Sequence, residues 1–171
     1  YARMSDAPAA KGIGAVYVEL EREGLTFGNS ESLMGFRGIP SADIYFDNVE
    51  VPLENLLVEP EDGFKKLMET FDLERCGNAT MALAQASAAL EYVTNYVQER
   101  EQFGKPLVDF QAVQIKLADM LMKVEAARLL IHKAAFNAQN GLPDILESST
   151  AKCFSNEMSR EVTTTAMQLM G

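Results

Sequence analysis

The sequence predicts an α+β protein. A partial antiparallel β-domain (residues 1–59) precedes a truncated antiparallel up-down bundle of long helices (residues 60–171). Apolar side chains alternate with period two before residue 58 and recur every three or four residues after residue 63. Charge changes at the same place, because residues 1–62 hold 12 acidic and four basic side chains and the remainder is nearly balanced. We therefore draw the domain boundary near Pro60.

β-Prone residues fill the segment from 14 to 58. Residues 15–20 form one predicted strand, and residues 21–24 turn the chain toward a second at 25–28. Residues 42–47 alternate strictly, which predicts that Ile44 and Phe46 share a buried face. Val51-Pro52 is expected to close the last strand, since proline cannot donate to a central ladder. Three such strands form an incomplete sheet.

A helix of unusual length is predicted from Gly63 to about Arg100, with no internal proline. Its apolar residues recur at helical spacing. They are Phe64, Leu67, Met68, Phe71, Ala79, Ala82, Leu83 and Ala86. Gly104 and Pro106 then interrupt the pattern.

Two further helices are predicted, the second from Phe110 to about Asn140 with Gly141 as its stop, and the third from near Pro143. Their apolar positions again follow one face each. Short connections between three long helices imply antiparallel neighbours. This half of the chain therefore reads as most of a helix bundle.

Composition limits the function classes. A formal net charge of -10 disfavours nucleic acid and anionic membranes as partners. Cys76 and Cys153 fit no metal spacing and suggest no disulfide, and His132 has no acid–base group beside it in sequence, so no metal site is expected. There is no apolar run of membrane-spanning length and no secretory signal pattern. Because Tyr1 is not a methionine and Gly171 falls within a helical pattern, both ends are expected to be truncated.

One face of the first predicted helix combines apolar side chains with a carboxylate. Leu67, Phe71, Glu74, Asn78 and Met81 follow one another at steps of three and four residues. A carboxylate inserted in an apolar stripe suits a general base. The alternative is an ion pair, or a cap for a neighbouring helix.

The sequence resembles the acyl-CoA dehydrogenase family over nearly its whole length, and three stretches carry most of the resemblance. Residues 34–38 (MGFRG) and 44–52 (IYFDNVEVP) are similar to the last strands of its β-domain. Residues 71–78 (FDLERCGN) resemble the stretch that lines its acyl-CoA pocket, and residues 99–111 contain its most specific signature. The resemblance implies an α+β flavoenzyme.

For the substrate, the resemblance implies contacts from Phe71, Asp72, Glu74 and Arg75. Members similar to isovaleryl-CoA and long-chain dehydrogenases carry the catalytic glutamate at the position of Glu74. Most other members carry it on a later loop, which would lie beyond Gly171, so both assignments stay open. Asp72 and Arg75 match positions that contact the CoA portion or shape the site, and Arg75 is more often a buried structural partner.

For the cofactor, the resemblance implies that Arg100, Gln102 and Phe103 meet the FAD of a neighbouring subunit. A guanidinium at a helix end can hold a diphosphate through two parallel hydrogen bonds. Gln102 departs from the threonine that is common there. Phe110 and Gln111 correspond to positions near the same FAD. The alternative for Arg100 is a solvated arginine at a helix end.

The last residues resemble the beginning of the family's glutamine–leucine–glycine–glycine turn. In the family this turn contacts the adenine half of FAD across the dimer, which makes Gln168 and Gly171 candidate cofactor residues. Gln168 could equally be an exposed helical residue. The sequence stops before the turn is complete.

The function implied by the resemblance is FAD-dependent oxidation of a short- or branched-chain acyl-CoA to the 2,3-enoyl-CoA. The implied electron acceptor is electron-transferring flavoprotein (Etf), and the implied assembly is a homo-oligomer, a dimer or a dimer of dimers such as a homotetramer. The expected compartment is the bacterial cytoplasm or, second, the mitochondrial matrix. A related acyl-CoA oxidase or desulfinase and a non-catalytic helical interaction module remain alternatives. The chain by itself is expected to be inactive.

Overall fold

The computed structural model describes residues 1–138 and 141–171. The chain divides into two compact units, Tyr1–Leu67 and Met68–Gly171. This division lies inside the first long helix, a little after the boundary near Pro60, and the limits 1–59 and 60–171 stay a prediction. Strands in the first unit and helices in the second confirm the α+β class.

The first unit contains five short strands, two short 3-10 turns and the start of the long helix. The strands are β1 Ala2–Arg3, β2 Ile13–Val16, β3 Leu25–Phe27, β4 Ile44–Phe46 and β5 Leu56–Val58. Strands β1, β2 and β5 form one antiparallel sheet in that order, and β3 and β4 form a separate antiparallel pair. In the first sheet Ala15 lies opposite Val58, and in the pair Thr26 lies opposite Tyr45.

Three strand predictions were wrong in detail. Pro52 does not end the last strand, because it begins a 3-10 turn at Leu53–Asn55 and β5 follows that turn. Strand β2 stops at Val16 rather than continuing to residue 20. Ile44 and Phe46 are exposed rather than buried on one face, since a two-stranded ribbon cannot cover its own surface.

The second unit is built on three helices, of which the first begins in the first unit. They are α1 Gly63–Glu99, α2 Gln111–Phe136 and α3 Ile145–Met170. Helix α1 agrees with the prediction. Helix α2 ends at Phe136, earlier than predicted, because Asn137 caps it; the predicted end at Asn140 lies outside the described residues.

One core joins the three helices. Its buried members are mostly alanine and valine, which let the helix backbones approach closely. They include Ala79, Ala86, Val93 and Val97 of α1, Met120, Val124, Ala127 and Ile131 of α2, and Ala151, Met158, Val162 and Ala166 of α3. The Asp144 carboxylate caps α3 by accepting hydrogen bonds from the backbone N–H of Leu146 (2.9 Å) and Glu147 (3.1 Å).

The start of α1 requires glycine. A Cβ atom at Gly63 would lie 1.9 Å from the carbonyl oxygen of Ile13, where β2 begins. We expect Gly63→Ala to destabilise the full-length protein by about 3 kcal/mol or more, because backbone must shift to relieve the overlap. Denaturant unfolding followed by circular dichroism measures this loss.

Gly77 offers the matched control on the same helix. A Cβ atom there meets nothing within 4 Å. Gly77→Ala should therefore be neutral or stabilise by up to about 1 kcal/mol, through helix propensity. Equal unfolding midpoints for Gly63→Ala and the wild type would contradict the close approach described here.

A charge-assisted network ties the segment after β2 to the turn before β5. The Glu19 carboxylate accepts hydrogen bonds from Arg22 Nε (2.7 Å) and from Asn55 Nδ2 (3.2 Å). Asn55 Nδ2 also donates to the Tyr17 carbonyl oxygen at 3.1 Å. The hydrogen bond from Arg22, with backbone and Asn55 contributions, lowers the pKa of Glu19 from 4.5 to about 2.

This lowered pKa predicts a pH dependence. Because the pKa of Glu19 is lower in the folded state, its stabilisation is complete above about pH 4.5 and is lost as the pH falls toward 2. Glu19→Gln should flatten the stability profile in that window, and Glu21→Gln should not. Urea midpoints measured from pH 5 to pH 2.5 test this, and parallel profiles for Glu19→Gln and the wild type would overturn it.

Candidate functional site

A tight β-hairpin lies in the connection between α1 and α2, and most of the predicted cofactor residues lie in this connection or at its ends. Its strands are β6 Glu101–Gln102 and β7 Lys105–Pro106. Phe103 and Gly104 form the two-residue turn with positive φ angles of 56° and 80°, the pattern of a type I′ turn. A phenylalanine rarely adopts this conformation, and here its side chain is 92% exposed. The hairpin thus holds an aromatic ring out at its tip.

Backbone hydrogen bonds hold the hairpin against the end of α1. The Arg100 N–H donates to the Tyr96 carbonyl oxygen at 2.9 Å, which continues the helical pattern by one residue. The Leu107 N–H then donates to the Arg100 carbonyl oxygen at 2.8 Å, so the chain folds back on itself. Arg100 therefore occupies a fixed backbone position at the base of the hairpin.

Lys105 fixes the hairpin to the start of α2. Its Nζ lies 4.3 Å from the centre of the Phe110 ring and donates to the Asp109 carbonyl oxygen at 3.2 Å. The Phe110 ring also meets the Phe103 ring edge-on, with centres 6.2 Å apart. Gln111 follows as the first residue of α2 and is exposed.

The Arg100 guanidinium makes no hydrogen bond or ion pair with any residue that the structure describes, and it is exposed. Arg22, Arg75 and Arg128, by contrast, each pair with a nearby carboxylate. A guanidinium without a partner among the described residues, three positions before an exposed aromatic residue, is available to an anionic ligand with a flat ring system.

The end of α3 lies at the same end of the bundle. The Tyr96 hydroxyl donates to the carbonyl oxygen of Met170 at 3.1 Å, which fixes α3 against the last turns of α1. Gln168 is exposed and Gly171 follows the last helical residue with φ 109°. The structure thus brings the predicted cofactor residues to one end: Arg100, Gln102, Phe103, Phe110, Gln111, Gln168 and Gly171.

The predicted substrate residues lie on the earlier turns of α1. Asp72 and Arg75 form an ion pair with each other, and both are partly buried. Phe71 and Glu74 are exposed, and the Asn78 side chain donates to the Glu74 carbonyl oxygen at 3.0 Å. The ion pair agrees with a structural role for Arg75, and its contact with the substrate stays a prediction.

The apolar surroundings expected for Glu74 are not supplied by the described residues. Phe71, Asn78 and Met81 along the same line are exposed as well, so the stripe would have to be covered by other parts of the protein. Burial, and next the charge of Asp72, raises the pKa of the nearby Cys76 thiol, which keeps that cysteine unreactive.

The two groups of residues lie far apart on one continuous helix. Glu74 and Arg100 are separated by about 39 Å along α1 at 1.5 Å per residue. The predicted substrate residues and the predicted cofactor residues of one chain are therefore too far apart to meet at a single compact site.

Sequence reasoning missed three contributors, namely the β6–β7 hairpin, Tyr96 and Lys105. It did not predict the β6–β7 hairpin, although Phe103-Gly104 between short polar runs is a possible turn signal. It also gave no role to Tyr96 or to Lys105, whose contacts depend on the fold. Among the described residues, no group of three histidine, cysteine or carboxylate side chains could hold a metal ion, and no helix could cross a membrane.

Comparison with known proteins decides the family. The model of the acyl-CoA dehydrogenase C-terminal domain matches residues 61–171. The chain belongs to the acyl-CoA dehydrogenase family. The agreement with the family extends upstream of the matched domain, since relatives and solved structures of acyl-CoA dehydrogenases align with nearly the whole chain.

A probable acyl-CoA dehydrogenase of Mycobacterium tuberculosis is 42% identical over 95% of this chain and 42% of its own length. A subunit of the caffeyl-CoA reductase–Etf complex of Acetobacterium woodii is 39% identical over the whole chain and 45% of its own length. The butyryl-CoA dehydrogenase structure from Megasphaera elsdenii superposes with a TM-score of 0.95 at 40% identity, over 99% of this chain and 44% of that one. The chain thus spans less than half the length of these acyl-CoA dehydrogenase relatives.

Proposed function

We propose that the whole protein catalyses the flavin-dependent α,β-dehydrogenation of a short- or branched-chain acyl-CoA thioester to the 2,3-enoyl-CoA. The observation that carries this proposal is the match of residues 61–171 to the acyl-CoA dehydrogenase C-terminal domain. The similarity to a protein named butyryl-CoA dehydrogenase favours a short acyl chain.

The residues at the hairpin end fit an FAD. The Arg100 guanidinium, which no described residue pairs with, would hold the diphosphate, and the exposed Phe103 ring would pack beside the cofactor. Gln102, Phe110 and Gln111 would line the same cofactor, and Gln168 and Gly171 would reach its adenine half. When bound, FAD supplies the hydride acceptor, which no amino-acid side chain can provide.

The earlier turns of α1 would serve the substrate. The Glu74 carboxylate would remove the proton at the α-carbon, with Phe71 beside the acyl chain. The Asp72–Arg75 ion pair holds both charged groups against α1, so that they shape the site without leaving a buried charge unpaired. A glutamate in the segment after Gly171 is the alternative base.

The separation along α1 favours a homo-oligomer. Because Glu74 and Arg100 lie about 39 Å apart on one helix, one subunit would offer its substrate residues to one active site and its hairpin to another. A dimer, or a dimer of dimers, satisfies this arrangement. Etf is the proposed electron acceptor, supported by the relative named as a subunit of a reductase–Etf complex.

The proposed compartment is the bacterial cytoplasm, or the mitochondrial matrix for a eukaryotic protein. Both cysteines are free in the structure, which suits a reducing compartment. Fractionation of cells that produce the full-length protein tests this proposal, and recovery from the periplasm would contradict it.

Purified full-length protein tests the proposed activity directly. We expect a yellow protein that oxidises butyryl-CoA or isovaleryl-CoA with Etf as acceptor and turns over palmitoyl-CoA at least about 10-fold more slowly, since a short pocket cannot bury a long chain. Turnover with oxygen that matches turnover with Etf would identify an oxidase instead. A colourless protein with no acyl-CoA oxidation would overturn the proposal.

A further inference from the structure

Tyr96 contacts both parts of the chain that carry the proposed cofactor residues. Its backbone carbonyl oxygen accepts the hydrogen bond from the Arg100 N–H at 2.9 Å, and its hydroxyl donates to the Met170 carbonyl oxygen at 3.1 Å. Arg100 precedes the β6–β7 hairpin, and Met170 is the last residue of α3. One residue of α1 therefore links the base of the hairpin to the end of α3.

The Tyr96 side chain is held by the core of the helices. It is half-buried and packs against that core, as do Leu169 and Met170 at the end of α3. Tyr92, one turn earlier on the same helix, is 63% exposed. Because packing holds the Tyr96 ring, its hydroxyl has a defined position before any ligand binds.

The acceptor of this hydrogen bond is a carbonyl oxygen without a donor inside its own helix. The last four carbonyl oxygens of an α-helix have no backbone N–H partner within the helix, and Met170 is the last residue of α3. Gly171 follows with a φ of 109°, which lies outside the helical region. The Tyr96 hydroxyl therefore fixes the point at which the chain leaves α3.

The same residue sets the separation between Arg100 and the end of α3. Arg100 lies four residues after Tyr96, about 6 Å further along the axis of α1, and the Met170 carbonyl is in contact with the Tyr96 hydroxyl. FAD joins its diphosphate to its adenine through a single ribose. Protein groups that bind these two parts of FAD must therefore keep a fixed, short separation, which a hydrogen bond between α1 and α3 provides.

We propose that Tyr96 is a positioning residue of the FAD site. Its hydroxyl holds the end of α3, with Gln168 and Gly171, at the separation from the Arg100 guanidinium at which one FAD contacts both. Tyr96 acts through these residues and not through a contact of its own with FAD. This inference rests on the FAD site of the proposed function, and it adds the residue that aligns the two parts of that site.

The physical advantage of this hydrogen bond is preorganisation. A ligand that contacts two segments of a protein binds more tightly when both segments are already at the right separation, because less conformational freedom is lost on binding. Without the Tyr96 hydroxyl, the Met170 carbonyl oxygen loses this donor and the end of α3 can move relative to Arg100. Binding of FAD would then have to order the end of α3, which lowers the affinity.

Tyr96→Phe in the full-length protein is the first test, because it removes the hydroxyl and keeps the ring in the core. Titration of the apoprotein with FAD, followed by flavin fluorescence, should give a dissociation constant about 5- to 10-fold higher than that of the wild type, the effect of one lost hydrogen bond. Tyr92→Phe is the matched control and should bind FAD as the wild type does. Equal FAD affinities of Tyr96→Phe and the wild type would overturn the proposal.

A double-mutant cycle with Arg100→Ala distinguishes positioning from a general effect on stability. Without the Arg100 guanidinium there is no second group to align, so adding Tyr96→Phe should raise the FAD dissociation constant by less than about 2-fold. A residue that only stabilises the fold would weaken FAD binding by the same factor with and without Arg100. Equal factors in the two backgrounds would therefore overturn the positioning role.

The wild-type protein separates this inference from the proposed function. If the wild type does not bind FAD, both the flavoenzyme and the positioning role of Tyr96 are wrong. If the wild type binds FAD and oxidises acyl-CoA while Tyr96→Phe retains the wild-type affinity for FAD, the proposed function stands and only the role of Tyr96 is wrong.

Discussion

Arg100→Ala is expected to strip the full-length protein of its flavin. The guanidinium at the base of the β6–β7 hairpin has no partner in the part of the chain that the structure describes, and two charge-assisted hydrogen bonds to a diphosphate would contribute about 3 kcal/mol or more. Their loss corresponds to an FAD affinity at least about 100-fold weaker. The ratio of visible to ultraviolet absorbance after purification, and titration of the apoprotein with FAD, measure the effect.

Two variants serve as controls for Arg100→Ala. Arg100→Lys keeps the charge but cannot make two parallel hydrogen bonds, so its affinity should lie between those of alanine and the wild type. Arg128→Ala removes a surface arginine that pairs with Glu125 at 3.2 Å, and it should keep its flavin. If the Arg100→Ala protein retains the flavin content of the wild type, the hairpin does not belong to the cofactor site.

Glu74→Gln is expected to lower kcat by about 100- to 10,000-fold, the usual contribution of a general base. The amide keeps the size and position of the side chain but cannot accept the α-proton. Flavin content and substrate affinity should remain close to those of the wild type, which distinguishes loss of the base from loss of structure. Steady-state kinetics and an absorbance titration with a product analogue measure these quantities.

Glu91→Gln is the matched control for Glu74→Gln, since Glu91 is an exposed glutamate further along α1. It should retain full turnover. Near-normal turnover of Glu74→Gln would exclude Glu74 as the base and assign that role to the segment after Gly171. If Glu74→Gln also loses its flavin, Glu74 has a structural role.

The helical half of the fold could be predicted from local sequence rules. The run from Gly63 to Glu99 contains no proline and repeats apolar residues at helical spacing, so its helix could be predicted almost to the residue. The family resemblance around Arg100 and Glu74 also came from sequence. Fold class and family were therefore accessible before the structure, and both are confirmed.

Features that depend on packing between distant parts of the chain could not be predicted from the sequence. The period-two pattern at Ile44 and Phe46 correctly predicted a strand. The pattern alone does not predict a buried face, because burial requires another part of the protein to pack against the strand. The apolar stripe around Glu74 is likewise uncovered among the described residues, where Phe71 and Met81 are exposed, and the role of Glu74 stays a prediction.

The break at Gly104 and Pro106 was predicted, but the left-handed backbone at Phe103 was not, since a phenylalanine with positive φ contradicts ordinary propensity. Such exceptions tend to mark functional sites.

The length of α1 has a genetic consequence. In the proposed oligomer each active site combines Glu74 of one subunit with Arg100 of another, so a mixed dimer of Arg100→Ala and Glu74→Gln subunits concentrates both defects in one site and leaves the other site wild type. Two inactive alleles co-expressed in one cell should therefore complement each other, and each mixed dimer should have about half of the activity of a wild-type dimer, as expected where two-fold symmetry builds each site from both chains.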